Sequence, residues 1–72
     1  MKVYKNLDGN AGVVLYEIGN EDITVRFAGS RKLYKYSYAK AGKEHVENMK
    51  ILAEKGKGLT TYISRFVHDL YD

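Results

Sequence analysis

The hydrophobic period of this chain changes once, near Lys40, and the change divides it into a strand half and a helix half. Before Lys40 the period is two. "GVVLYEIG" is an apolar run rich in β-branched and aromatic residues and bounded by glycines, which reads as a strand. "ITVRF" alternates, with Ile23, Val25 and Phe27 on one face and Thr24 and Arg26 on the other. "LYKYSY" sets Tyr34, Tyr36 and Tyr38 against Leu33, Lys35 and Ser37. Short turns separate the three: "IGNEDI", where Gly19 and Asn20 can both take positive φ, and "AGSRK". Strands joined this way form an antiparallel meander. "KVYKNL" followed by "DGN" is open to two readings, a fourth strand in a hairpin or a loose arm over residues 1–11.

After Lys40 the period is helical. In "GKEHVENMKILAEKG" the apolar Val46, Met49, Leu52 and Ala53 share one side, and Gly56 is placed to end the helix. In "LTTYISRFVHDLYD" a wide stripe runs through Leu59, Tyr62, Ile63, Phe66, Val67 and Leu70, with Thr60 or Thr61 as candidate N-cap. Two amphipathic helices must bury their stripes, and the meander has one apolar face to receive them. The expected architecture is α+β: a three- to four-stranded antiparallel meander followed by two helices packed on one face of the sheet.

At 72 residues the chain is a single small domain, near the size where one core barely offsets chain entropy. Its seven tyrosines suit a thin core, because each buries a ring while its hydroxyl stays near a partner or water. A strand pairs in the register that turns its apolar set inward, so the tyrosine ladder is expected in the core and Leu33, Lys35 and Ser37 outside. Val25, Phe27, Tyr34, Tyr36, Met49, Leu52, Ile63, Phe66 and Val67 are the expected core.

From Ile23 to Lys43 the chain carries Arg26, Arg31, Lys32, Lys35, Lys40 and Lys43 and no acid, within a net charge of only +3. Such a segment can steer an anionic partner or simply form a solvated face. No apolar run is long enough to span a membrane and the start lacks a signal-peptide segment, so a soluble, cytoplasmic protein without membrane contact is expected. Without cysteine there is no disulfide framework and no Cys-based zinc site.

Support for chemistry is thin. "GKGLTT" lacks the spacing of a phosphate loop, although Lys57 beside a helix N-terminus with free N–H groups could hold a phosphate; a plain inter-helix turn is the simpler reading. His45 and His68 are expected on the surface, and His68 with Asp69 and Asp72 would make a metal site only on a fraying end. Ser37 and Ser64 have no base that the sequence places nearby. No catalytic, metal or cofactor site is expected, and the chain is read as a non-enzyme.

Residues 12–71 resemble the KTSC domain, a short module named for the C-terminus of some lysyl-tRNA synthetases and also found as stand-alone bacterial proteins. The resemblance lies in Tyr16 ending a first apolar strand, then Ile23, Val25, Phe27 and Gly29. The Tyr-x-Tyr of Tyr34 and Tyr36 follows, then Ala53, Gly56, Leu59 and Ile63. Thr60 stands where members often carry asparagine and can do the same capping work. The resemblance implies an antiparallel sheet with helices. The family has no established activity, and its synthetase context suggests RNA binding.

Two expectations follow. One is an accessory module that binds RNA or another nucleic acid, weakly and with strong salt dependence, through a basic outer sheet face of Arg26, Arg31, Lys32 and Lys35, with Lys57. The other is association with a protein partner or a second copy. A positive surface free of acids favours the first, and an uncovered apolar patch with a polar rim favours the second.

Overall fold

The computed structural model describes residues 1–9 and 12–72. Strands β1 (Lys2–Val3), β2 (Val13–Ile18), β3 (Asp22–Phe27) and β4 (Leu33–Ser37) form one antiparallel sheet in chain order. Helix α1 (Lys43–Lys55) follows, then α2 (Leu59–Tyr62), which continues into a π-helical turn (Ile63–Val67). The α+β reading holds, and the first residues contribute a very short edge strand.

Register decides what each face of the sheet carries, because residues paired across strands project to the same side. One side holds the rows Lys2–Tyr16–Val25–Tyr34 and Ile18–Ile23–Tyr36. The other holds Val3–Leu15–Arg26–Leu33 and Glu17–Thr24–Lys35. A bulge between Val13 and Leu15 returns Val13, paired with Phe27, to the first side. The helices cover that side. Val13, Tyr16, Ile23, Val25 and Tyr36 pack there with Val46, Met49 and Ala53 of α1 and with Leu59, Ile63 and Val67. Tyr36 is only 1% exposed.

The expected core is right at its centre and too generous at its margin. Phe27, Tyr34, Tyr38 and Leu52 are half-buried at the rim. Phe66 is 53% exposed and does not belong to the core. Of its apolar stripe only the row Leu59, Ile63 and Val67, four residues apart each time, is fully buried. Phe66 falls on the flank, where its ring lies 4.8 Å from that of Tyr62 and stacks on His45.

Several long-range bonds close the small domain. Tyr4, 4% exposed, fastens the N-terminal segment: its backbone N–H donates to the Val14 carbonyl, and its hydroxyl accepts from the Leu59 N–H at 3.1 Å. Thr60 is not the helix cap. Gly58, at φ 82°, occupies that position, and Thr60 Oγ1 accepts from the Val13 N–H at 3.1 Å, tying α2 to β2. Gly12 is required beside this bond, since a Cβ there would lie 2.3 Å from Thr60 Cγ2 and Oγ1. Gly56 ends α1 as expected, at φ 73°, with its N–H on the Ala53 carbonyl and the Lys57 N–H reaching Leu52. Neither Gly19 nor Asn20 takes positive φ; Gly19 matters for space instead, because a Cβ there would meet Asp22 Oδ1. Gly9 of the "DGN" segment has φ 77°, and Asn10 lies outside the described residues.

Candidate binding surfaces

The acid-free segment does not fold into an acid-free face. On the open side of the sheet Glu17 shares a row with Lys35, and Asp22 lies one row away, with Asp22 Oδ2 3.8 Å from Lys35 Nζ. Arg26 is drawn along the surface, its Nε donating to the Ser30 carbonyl at 2.8 Å. Lys32 is on the other side altogether. It has the parity of Tyr34, and its ammonium lies 4.9 Å from the Tyr34 ring centre and 5.2 Å from that of Tyr71. Of the four residues expected on the outer face, Arg26 and Lys35 are there, Lys32 is not, and Arg31 is exposed in the β3–β4 turn.

Lys57 is also separated from them, and two N–H groups beside it are already bonded within the chain. Asp8 Oδ2 accepts from the Gly58 N–H at 2.9 Å, and Tyr4 takes the Leu59 N–H. A carboxylate of the chain thus stands beside this helix start, where it would repel an incoming anion.

What the fold does bring together lies along the edge strand β4. At its start Phe27, Tyr34 and Tyr71 pack edge to face, with ring centres 5.3 and 4.8 Å apart, under Lys32 and next to Arg31. At its end Tyr38 lies between Lys43 and Lys50, whose ammonium groups are 5.9 and 5.6 Å from the ring centre. Cations over aromatic faces at such distances are attracted by the ring quadrupole. The Tyr38 hydroxyl donates to Glu47 Oε2, and that bond, with desolvation and the nearby acids, pushes it up to about 12. Lys50, 2.8 Å from Glu47, and then Tyr38 hold the Glu47 carboxyl below the usual carboxylate range. Between the two clusters the C-terminal residues cover part of the edge: the Asp72 N–H donates to the Lys35 carbonyl, and Asp72 Oδ1 accepts from Ser37 Oγ.

The tyrosine ladder therefore has two characters. Tyr36 is a core residue whose hydroxyl is pushed up to about 12, chiefly by burial and then by Tyr34 and Tyr71. Tyr34 and Tyr38 are rim residues that carry cations. The open side of the sheet has little aromatic content but does have an aliphatic row, in which Val3 is 73% and Leu33 53% exposed and Leu15 is half-buried.

His45 is not a plain surface residue. Half-buried, it bridges the helices through Nδ1, 2.7 Å from the Tyr62 hydroxyl, which also accepts from Asn48 Nδ2 at 3.2 Å. Helical spacing from α1 alone does not reveal this partner. His68 is exposed with Asp69 3.9 Å away, while Asp72 is engaged with Ser37. Among the described residues, no group of three or more His, Cys, Asp and Glu comes together to hold a metal, and no helix is long and apolar enough to cross a membrane. A groove of about 330 Å³ lies at the β1–β2 corner, lined by Met1, Lys2, Tyr16, Glu17 and Ile18. It contains no pairing of nucleophile and base.

No family model matches the chain, and neither the curated proteins nor the solved structures include a match to it.

Proposed function

We propose that this chain is a small accessory module that binds single-stranded nucleic acid along the β4 edge and has no catalytic activity of its own. The supporting observation is the pair of cation–aromatic clusters that flank β4, Lys32 over Tyr34 and Tyr71 at one end and Lys43 and Lys50 around Tyr38 at the other. Half-exposed rings offer stacking area that tolerates any base, and lysines beside them offer phosphate contacts. The KTSC resemblance points the same way through its synthetase context. On this reading the contact surface is the edge rather than the outer face, since the edge sets its lysines against half-exposed rings and the outer face has no such rings among the described residues.

Anisotropy of a labelled single-stranded RNA over a salt series tests the reading. Contacts from Arg31, Lys32, Lys43 and Lys50 imply a log–log slope near −3, roughly 0.7 per phosphate. Lys32→Gln should weaken binding to all sequences alike and make the slope shallower by about 0.7, whereas Lys35→Gln should change it little. Absence of binding at low salt, or a loss from Lys35→Gln as large as that from Lys32→Gln, would refute the edge assignment. One observation favours a second reading, association with a protein surface: the exposed aliphatic row of the outer face.

A further inference from the structure

We infer that the outer face of the sheet pairs with the same face of a second copy of this chain. The face has an apolar strip and mixed charge, and its pattern is self-complementary. In the row Glu17–Thr24–Lys35 the acid stands on β2 and the base on β4, with Thr24 of β3 between them. The neighbouring row has Leu15 on β2, Leu33 on β4 and Arg26 between. A two-fold axis running along β3 sets β2 of one copy over β4 of the other. Glu17 then meets Lys35 of the other copy, Lys35 meets Glu17, and Leu15 meets Leu33 on both sides. Thr24 lies on the axis. So do Arg26 and Asp22, each facing its own copy, with Arg26 held aside by the Ser30 carbonyl and Asp22 drawn toward Lys35.

The same arrangement accounts for two otherwise unused features. Leu33 is strongly exposed at one end of the apolar row, and pairing would cover it with Leu15 of the other copy, while Val3 on β1 lies beyond the paired strands. Lys35 has only a long contact to Asp22, at 3.8 Å, and is free to exchange it for Glu17 of the other copy. The face is small. Three strands about 4.8 Å apart and about 17–20 Å long, with the two-residue β1 beside them, give an area well below the ~800 Å² per partner of a stable interface. The pairing is therefore weak and concentration-dependent, with dissociation in the range of tens of micromolar to millimolar.

Sedimentation velocity from 10 μM to 1 mM on the full chain tests this, with thermal melts to verify folding. Wild type should show a monomer–dimer equilibrium. Leu33→Asp should weaken it at least tenfold, and because Leu33 is exposed the melting temperature should hold. Glu17→Lys alone and Lys35→Glu alone should each favour the monomer. An equimolar mixture of these two variants should form a heterodimer, and the double variant Glu17→Lys/Lys35→Glu should dimerise again. A wild type that stays monomeric at 1 mM would overturn the inference. So would a dimer indifferent to Leu33→Asp, or charge variants that the mixture and the double variant fail to rescue.

Discussion

The two faces of the sheet are built from the same three main strands and meet opposite physical demands. On the covered face every row places aromatic or branched side chains against helix residues, and Ile23, Val25 and Tyr36 are all but inaccessible. On the open face each row mixes types: a half-buried and an exposed leucine around an arginine, then an acid and a base around a threonine. Covered positions are constrained by volume, so that one lost ring leaves a cavity. Open positions are constrained mainly by what they meet in solution. The contrast separates β4 by parity: Tyr36 holds the fold, while Leu33 and Lys35, facing the other way, are free to serve an interface.

The largest expected effect is on the covered face. Tyr36→Ala should cost ~3–5 kcal/mol, comparable with the whole stability of a domain this size, whereas Leu33→Ala should fall within about 0.5 kcal/mol of wild type. Chemical denaturation of both proteins gives the ratio, and similar costs would erase the distinction between the faces.

Next is the closure of the sheet against α2. Gly12→Ala places a Cβ 2.3 Å from Thr60 atoms and should cost ~1–3 kcal/mol. Thr60→Ala removes the acceptor of the Val13 N–H and should cost about 1 kcal/mol. If the clash is the cause, the double variant will be less destabilised than the sum of the two, and strict additivity would argue against it.

A pH titration sharpens the comparison through the tyrosines. Tyr36 and Tyr38 have hydroxyls pushed up to about 12 in the folded chain, against about 10 when unfolded. The stabilisation linked to their neutral forms is complete below pH 10 and is lost as pH rises through 12. Ultraviolet titration should therefore show Tyr36 and Tyr38 ionising late, with Tyr4 also raised by its burial, and stability should begin to fall above about pH 10. Ionisation of all seven tyrosines near pH 10 with the fold intact would contradict it.

Phe66 should also contribute little. Half-exposed on the helix flank, it should cost only about 1 kcal/mol on truncation to alanine, well under the cost of Tyr36→Ala. A loss above 3 kcal/mol would place it back in the core.

Periodicity was enough to read the three long strands, α1 and the inward turn of the tyrosines, since a strand or helix of five residues or more repeats its pattern. β1 is two residues long and has no period to display, so its pairing comes only from the register with β2, and the burial of Tyr4 is fixed by a bond to Leu59, 55 residues away. The same holds for Asp8, which accepts from the Gly58 N–H beside Lys57. Lys32 is different. Its parity with Tyr34 is visible in the sequence and places it on the covered side; grouping residues by charge instead of by alternation puts it on the wrong face. Phe66 belongs to a wide apolar stripe of which only one row is fully buried, and the stripe does not say which.

The division of β4 between fold, face and edge is tested most directly by a nitrogen-15 NMR titration of the chain with a short single-stranded RNA at low and moderate salt. Amide shifts should concentrate at Arg31, Lys32, Tyr34, Tyr38 to Lys43 and Tyr71, and fade as salt rises, while Val3, Leu15, Glu17 and Thr24 stay in place. Shifts centred on those four residues, or no shifts at low salt, would contradict it.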